Sequence, residues 1–583
     1  MNRPKTLDPI MLEVIKNALT SVANEMSFSL RRTSMSPILY EMLDFCVDLY
    51  NSKTELIAEG RGSVAFQGTV NIGINKVVEH VGRENVEEGD VFIAAWSYFA
   101  GSHNPDVLVF KPIFYDKKLF GYAAAKAHWA DIGASSPFAA NYTDMYQEGL
   151  ILPGVKVVKR GVLNKEIVDI IRHNTRLPDS TIGDLTAQIA CCEVGEKGLL
   201  ALVDKYGKET MILAMEAIMD QDEKLMRQTI AKIPDGEYSA EGGLDSNGLD
   251  DNPLKVRVTV TVLGDELTID TTGSAPQTPG PMNCPFPSTV ALLRVGVKML
   301  LDPHTRSSGG HWRPLKVVAP EASIYNPQPP AATYLYGWTG TPLGECIFKA
   351  LAEVLPEKTV ARSGGDICAG VRFYGISPRD GKWFFCVPGQ GPIGHGASFD
   401  SDGGDALIIY GMSGSESIPH EVMEERFPIL IEKWCLRQDS GGPGKFRGGL
   451  GIEKDVQILT DVVGGAVIEQ TKFPPWGLFG GKSGFSNLGI LWPGTDKEKK
   501  FGKVTEVSIK KGESHTVLTG GGGGWGNPYE RDPESVLKDV IKGYVSRESA
   551  RKDYGVVIRE ENGICILDEE ASNKMRESNV IAI

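Results

Sequence analysis

Clustered glycine is the feature that most constrains how the C-terminal half of this chain can fold. The 583 residues include 67 glycines, and the later ones occur in groups such as SGGPGKFRGGLG, LFGGKSG and TGGGGGWGNP. Because glycine adopts positive φ without a steric penalty, such groups between apolar segments are typical of tight turns. The pattern predicts a β-rich, glycine-rich region over residues 431–583 that includes a terminal helix.

The run Gly520–Gly524 resembles a phosphate-binding loop only in its glycine content. No Lys-Ser or Lys-Thr pair follows it and no helix pattern begins there, so it does not fit a P-loop. We predict a turn or a subunit contact at this position. Apolar loop tips are unfavourable in water and often mark interfaces, so nearby aromatic residues also favour a subunit contact. These residues are Phe473, Trp476, Phe479 and Trp525.

The spacing of apolar residues indicates four regions and a fold class. Residues 8–33 repeat apolar side chains at helical spacing, and Asp8 is the expected N-cap of that helix. Helices and strands alternate further along without strict βαβ repetition, which predicts an α+β fold: a multi-subdomain mixed α/β protein with a β-rich, glycine-rich C-terminal half. The predicted regions are 1–162, N-terminal α/β with a metal site; 163–235, helical, with long helices over 181–205 and 207–232; 236–430, mixed α+β; and 431–583, β-rich with the terminal helix.

Composition and charge exclude several classes of protein. The formal net charge of -14 and the pI near 5.3 argue against a nucleic-acid partner, because phosphate contacts need clustered Lys and Arg. The sequence has no apolar segment long enough for a membrane span, and its start lacks the apolar core of a signal peptide. The nine cysteines form no C-x-x-C pair. We therefore expect a cytoplasmic enzyme with no membrane partner.

Two short motifs contain candidate metal ligands. His103 and Asp106 lie in GSHNPDVLVF, and His128 lies in AAAKAHWADIG. The sequence between them predicts a strand, an Asp-Lys-Lys turn and a second strand, so a hairpin would bring the motifs together. Asp44, in LYEMLDFCVDLY, is a candidate fourth ligand. Nitrogen and oxygen ligands of this kind suit Zn, Mn or Fe, although the spacing alone also fits a hydrogen-bonded loop pair.

The chain resembles the hydantoinase B/oxoprolinase family along nearly its whole length. The resemblance begins with LDPIMLEVIKNALTSVANEMSFSLRRTSMSP and continues through SHNPDV, KAHWADIG, GDLTAQIACCEVGEKGLL, RQDSGGPGKFRGGLG and SRESARKDYGV. It implies a B-type subunit that works with an A-type partner, which uses ATP and Mg to phosphorylate a small carbonyl substrate. It also implies that His103, Asp106 and His128, with Asp44 in some members, hold one divalent transition metal.

Departures from the family pattern concern the substrate. Members that open hydantoins or oxoproline usually carry Asn-Asp-Pro-Tyr before the first metal histidine, but this chain has AWSY, with Trp96 at the acidic position. Their His-His-Ala-Asp run is replaced by one with Trp129 after His128, and MSGSES replaces a Thr-Asn-Thr run. Tryptophan provides flat apolar walls for an aromatic ligand, so we expect both indoles to line the substrate pocket. The alternative is that they pack in the core.

These departures favour a ketone carboxylase similar to acetophenone carboxylase, which joins an activated enol to activated bicarbonate. Such an enzyme could include a small zinc-binding subunit in addition to the A-type partner. The first alternative is ATP-dependent ring opening of a cyclic amide by a hydantoinase, 5-oxoprolinase or lactamase. The second is a non-catalytic assembly subunit with a decayed metal site. The sequence contains no Walker motif, dinucleotide fingerprint or nucleophile elbow, so the chain is not expected to be active alone.

Overall fold

A computed structural model describes residues 7–388 and 391–580, and it confirms the mixed α/β, α+β fold class. The outer ends of the first and last predicted regions, residues 1–6 and 581–583, lie outside the described residues. The four boundaries themselves remain a prediction. Within the described ranges, no helix is both long enough and apolar enough to cross a bilayer.

The N-terminal region is built on one antiparallel sheet that is buried on both faces. Its strand order is β2-β1-β5-β4-β3-β6-β7. Alternate residues of a strand point to opposite faces, so Val91 and Ile93 join the core under helices α1 and α6, whereas Phe92 and Ala94 face α3. The elements are α1 Pro9–Thr33, α2 Pro37–Tyr40, β1 Phe45–Asn51, β2 Leu56–Glu59, α3 Val64–Val81, β3 Val91–Ala95, α4 Ser97–Ala100, β4 Asp106–Tyr115, β5 Lys118–His128, β6 Leu152–Lys159, β7 Val162–Leu163, α5 Lys165–His173, α6 Pro178–Tyr206 and α7 Lys208–Ile230.

Local sequence explains several of these boundaries. The Asp8 side chain accepts a hydrogen bond from the backbone N–H of Met11, which confirms the predicted N-cap of α1. Gly207 separates α6 from α7 as expected, with φ of +84°. Asp116 and Lys117 both have positive φ and connect β4 to β5, which confirms the predicted hairpin.

The middle region covers the sheet with a second layer. A four-stranded sheet of order β11-β10-β9-β8 packs with helices α8 and α9, and α8 in turn packs on α3. The Cβ of an alanine at Gly68 would lie 2.6 Å from the Cβ of Ala291, so glycine permits the close approach of α3 and α8. The elements are β8 Gly236–Leu244, β9 Leu254–Leu263, β10 Glu266–Asp270, α8 Phe286–Leu301, β11 Leu315–Val318 and α9 Tyr336–Leu351.

The C-terminal half is rich in short strands, as predicted. One sheet has the order β13-β12-β16-β19, another β14-β15-β20-β17-β18, and β21 pairs with β22. The elements are β12 Gly370–Ile376, β13 Trp383–Cys386, α10 His420–Arg426, β14 Ile429–Leu436, β15 Ile452–Ile458, β16 Val462–Val467, β17 Leu488–Leu491, β18 Lys499–Phe501, β19 Lys503–Ile509, β20 Ser514–Leu518, α11 Pro533–Ile541, α12 Arg547–Tyr554, β21 Ile558–Glu561, β22 Ile564–Leu567 and α13 Glu569–Val580.

The run Gly520–Gly524 is buried and is neither a turn nor a surface contact, so that prediction is wrong. None of its residues has φ in the left-handed region. Instead, it hydrogen-bonds to glycine-rich segments around it: Gly522 N–H donates to the Gly449 carbonyl at 2.8 Å, and Gly442 N–H donates to the Gly522 carbonyl at 2.7 Å. Any side chain would separate these backbones. The glycines are therefore required by close backbone packing, and we call this part of the fold the glycine bundle.

The predicted aromatic loop tips differ in exposure. Phe479 is 48% exposed, but Trp525 is only 7% exposed and its ring packs against that of Phe479 at a centroid distance of 4.5 Å. Trp525 is therefore part of the chain's own packing: it directly follows Gly524 and exchanges two backbone hydrogen bonds with Phe446. A subunit contact at Phe479 remains a prediction.

Candidate metal centre and its cavity

The β4–β5 hairpin brings the three central candidate ligands together. Asp106 is the first residue of β4 and His128 the last of β5, and the two are directly paired across the ladder. His103 lies in the loop before β4, where the backbone N–H of Asp106 donates to the His103 carbonyl at 3.0 Å. The sequence-predicted hairpin thus places all three side chains at one edge of the buried sheet.

The ligand atoms converge on one point. His103 Nε2 lies 3.1 Å from His128 Nδ1 and 3.1 Å from Asp106 Oδ1, and His128 Nδ1 lies 2.7 Å from Asp106 Oδ1. Two ligands at about 2.1 Å from a common ion are separated by roughly 3.0–3.4 Å, a range that includes both 3.1 Å spacings. The 2.7 Å spacing is that of a hydrogen bond between His128 and Asp106, so these two groups would move slightly apart around a first-row transition metal. Burial opposes ionisation of Asp106, but the two histidines hold its pKa well below the usual range.

Neighbouring groups orient the ligands. His103 Nδ1 donates to the Tyr334 carbonyl at 2.9 Å; a carbonyl can only accept, so Nε2 is left with its lone pair toward the cluster. The Tyr336 hydroxyl donates to Asp106 Oδ2 at 3.1 Å, which leaves Oδ1 facing the histidines. Such outer contacts are typical of metal-binding histidine and carboxylate groups.

Asp44 lies beside this cluster. Its backbone carbonyl accepts the N–H of His128 at 3.0 Å, and its side chain lines the same cavity. The carboxylate is 8% exposed, and its Oδ1 has no hydrogen-bond partner among the described residues. Burial raises the pKa of Asp44 to about 7, with an opposing effect of His128. Asp44 is not one of the three described residues whose ligand atoms all lie within 4.8 Å of one another, so its role as a fourth ligand remains a prediction, which the unpaired buried oxygen favours.

The cluster forms the floor of an aromatic cavity of about 90 Å³. Its walls come from segments far apart in the sequence, mainly the loop after β5, the start of α9 and strands β12 and β13. The aromatic lining residues are Phe66, Trp129, Phe138, Tyr334, Tyr336, Trp338 and Phe385. This lining suits a small ligand with a flat or apolar body and a polar group directed at the floor.

The two predicted pocket tryptophans occupy different places. Trp129 is fully buried and lines the cavity, and its Nε1–H donates to the Gln188 side chain at 2.8 Å. Trp96 is not among the described residues that line this cavity. Its ring packs on Phe99 at a centroid distance of 4.3 Å, outside the cavity wall. The geometry therefore favours the packing alternative for Trp96, because its ring is directed to Phe99 of α4 although the end of β3 lies close to the ligand edge.

Arg372 is a cavity residue that sequence reasoning missed. It is 4% exposed, and its guanidinium lies over the ring of Phe138 at 4.6 Å and near that of Trp338 at 5.6 Å. It donates to the carbonyls of Gly370 and Cys368 at 2.8 and 2.6 Å and to the Cys368 sulfur at 2.6 Å, and its remaining N–H groups are available to a ligand. Only the pairing of β12 with β16 brings this residue to the cavity, so no local sequence signal marks it.

Lys126 holds the loop that carries His103. This fully buried ammonium donates to the carbonyls of Ala100 and Gly101 at 2.8 and 3.2 Å and to the Thr69 hydroxyl at 2.9 Å. Burial lowers the pKa of Lys126 to about 8, and Asp106 opposes that shift. Lys126 thus links α3, the loop and the end of β5 in one polar network.

Replacing Lys126 with methionine is expected to weaken metal retention about 10- to 100-fold, because the loop carrying His103 loses its anchor. Metal content after dialysis against graded chelator concentrations measures this. Lys111→Met is the matched control: Lys111 lies on β4 and pairs with Glu196 at 2.8 Å, away from the cluster. Equal metal loss in both variants would show that Lys126 contributes only to general stability.

The fold and the cavity define an α+β protein with a cluster of candidate metal ligands, His103, Asp106 and His128, beside an aromatic pocket. The model of the hydantoinase B/oxoprolinase family matches residues 8–528. The chain belongs to this family. The most informative relatives share its full length. It is 34% identical to the B component of a candidate D-/L-hydantoinase of Pseudomonas sp. (strain NS671), over 98% of each chain.

Solved structures show the same architecture. The chain matches the ATP-dependent caprolactamase of Pseudomonas jessenii with a TM-score of 0.91 and 29% identity, over 98% of this chain and 100% of the other. The curated beta component of caprolactamase from that organism is 31% identical over 98% of this chain. Acetone carboxylase in its nucleotide-free form gives a TM-score of 0.89 at 20% identity, over 99% of this chain and 83% of the other, and this second likeness concerns the fold alone.

Proposed function

We propose that this chain is the metal-bearing B-type component of an ATP-dependent heteromeric enzyme that opens a cyclic amide. The observation that carries the proposal is the convergence of His103, Asp106 and His128 on the floor of an aromatic cavity. The family includes amidohydrolases and carboxylases, which supports an ATP-dependent enzyme of one of these two kinds. The hydantoinase and caprolactamase relatives, which are at least 30% identical to this chain, support ring opening over carboxylation.

In this proposal His103, Asp106 and His128, with Asp44, bind one divalent transition metal, Zn, Mn or Fe. When bound, such an ion supplies Lewis acidity toward a carbonyl oxygen. The chain's own residues position the substrate and the ligands. Hydrogen bonds from the Tyr336 hydroxyl and to the Tyr334 carbonyl orient Asp106 and His103, and the aromatic walls hold the apolar part of the substrate ring and exclude water.

Arg372 supplies the positive charge that an anionic substrate needs in this cavity. An amide activated by phosphorylation carries a phosphoryl group, and a guanidinium with free N–H donors binds such a group well. We assign the ATP and Mg for that activation to an A-type partner, because the hydantoinase and caprolactamase relatives are themselves single components of larger enzymes. The isolated chain is therefore expected to show no ATP hydrolysis.

The second candidate is ketone carboxylation, and the position of Trp129 on the cavity wall favours it. An indole and several phenyl rings around a small polar floor would also accept an aromatic ketone. A third role, non-catalytic assembly, requires that the cluster bind no metal.

The complex with its A-type partner should hydrolyse ATP when a hydantoin or a lactam is added, with no requirement for bicarbonate. Coupled measurement of ADP and ring-opened product tests this, and Arg372→Gln should raise KM more than it lowers kcat. Stimulation by acetone or acetophenone only in the presence of bicarbonate would replace the proposal with the second candidate. A metal-free complex of full integrity would support the assembly role.

A further inference from the structure

A second cavity, of about 240 Å³, lies between β2, α3, α8 and the loop that follows α8. It shares no lining residue with the aromatic cavity beside His103, Asp106 and His128, which we call the metal-type cavity. The two are nevertheless close: Phe66 and Met412 line the first cavity, whereas their neighbours Gln67 and Ser413 line the second. A thin wall of α3 and the 412–413 segment therefore separates two chambers, and the proposed reaction uses only one of them.

Arg294 is the notable group in this second cavity. Its guanidinium lies over the ring of Trp312 at 5.7 Å. In the part of the chain that the structure describes, it has no carboxylate within ion-pair distance and no hydrogen-bond acceptor. Burial lowers the pKa of Arg294 to about 10, and Tyr50 opposes that shift. Arg294 is half-buried, and its nitrogen atoms are not among the buried unpaired ones, so its five N–H donors stay in contact with solvent and are open to a ligand.

The other charged groups of the cavity already have partners. Lys298 donates to Asp302 Oδ2 at 3.0 Å and to the carbonyl and hydroxyl of Thr305 at 2.7 and 3.0 Å, so its charge is neutralised locally. Glu59 accepts the backbone N–H of Ser307 at 2.9 Å, and burial raises its pKa. The positive charge that remains available to a ligand is that of Arg294.

The rest of the lining defines the shape of a ligand. Val295 and Met299 lie on α8, and Val64 and Leu56 line the cavity from α3 and β2. Together with the Trp312 ring they form the apolar part of a cavity whose polar lining also includes Glu59, Gln67 and Lys298. Guanidinium groups pair with carboxylate or phosphate oxygens through two parallel hydrogen bonds.

We infer that this second cavity binds a small organic anion, whose carboxylate or phosphate group pairs with Arg294 and whose apolar body packs against Trp312 and Met299. The inference does not depend on the metal site or on the proposed reaction. Two anions of the same body, benzoate and phenyl phosphate, distinguish the two possible head groups, and benzyl alcohol is the neutral control.

Calorimetric titration of the full chain with each probe tests the inference. At least one anion should bind saturably, the alcohol should not, and the tighter anion identifies the head group. Arg294→Gln should weaken binding about 10-fold or more, because hydrogen bonds to charged groups are stronger than neutral ones. Arg379→Gln, on an exposed surface residue, should leave it unchanged.

Two further variants make the result decisive. Val295→Phe fills the cavity while it keeps Arg294, and it should also abolish binding if the site is here. Because the proposed function also gives the metal-type cavity an anion-binding arginine, the Arg294→Gln and Val295→Phe titrations are made in the Arg372→Gln background, which should itself retain saturable binding at the second cavity. Absence of saturable binding, binding unchanged in both Arg294→Gln and Val295→Phe, or binding lost only in Arg372→Gln would overturn the inference.

Discussion

Replacing Gly522 with alanine is expected to lower the midpoint of thermal unfolding by at least about 5 °C, or to abolish recovery of folded protein. The added Cβ would lie 1.8 Å from the His395 carbonyl oxygen, a backbone atom that cannot rotate away. The residue also hydrogen-bonds in the bundle through both its N–H and its carbonyl, so a shift of its segment would break contacts on two sides. Overpacking of this kind costs roughly 3 kcal/mol or more.

Gly494→Asn is the matched control for this prediction. Gly494 is exposed, has φ of +71°, and an added Cβ would meet no atom within 4 Å. Asparagine tolerates the left-handed region, so the midpoint should change by less than about 2 °C. Differential scanning fluorimetry and the yield of folded protein measure both variants. If Gly522→Ala changed the unfolding midpoint as little as Gly494→Asn does, the glycine bundle would have to accommodate a side chain easily, and the prediction would be wrong.

The double variant His103→Ala/His128→Ala is expected to lose nearly all of the bound metal and, with it, substrate-dependent ATP turnover in the complex. Removing both nitrogen ligands leaves only the carboxylates of Asp106 and Asp44, which cannot hold a transition metal tightly. Elemental analysis of purified protein gives a readout that does not depend on activity. We expect about one metal ion per chain in the unmodified protein and close to none in the variant.

His304→Ala controls for the loss of histidine as such, because His304 is exposed and lies outside the cluster. Circular dichroism and size-exclusion chromatography of the complex show whether the double variant is folded. If it does not fold, His103→Gln alone retains a polar side chain of similar reach and should still reduce metal content. Equal metal content in the double variant and the His304→Ala control would show that His103 and His128 are not metal ligands.

Sequence by itself determined the elements whose causes are local. The Asp8 cap and apolar spacing defined α1, Gly207 separated two long helices, and the Asp-Lys-Lys turn defined the β4–β5 hairpin. Because a hairpin joins residues at its two ends, local pattern was also enough to bring His103, Asp106 and His128 together. The predicted cap, helix break and hairpin depend only on residues close together in the sequence, and the structure confirms all three.

Tertiary structure alone decided which groups surround that cluster. Arg372 and Tyr336 reach the cavity through strand pairing and helix packing between segments far apart in the chain, and Trp96 turns out to pack elsewhere. The role of Gly520–Gly524 was likewise invisible in the sequence. A glycine needed for positive φ and a glycine needed for close backbone contact have the same letter, and only the neighbouring segments, distant in sequence, distinguish one from the other.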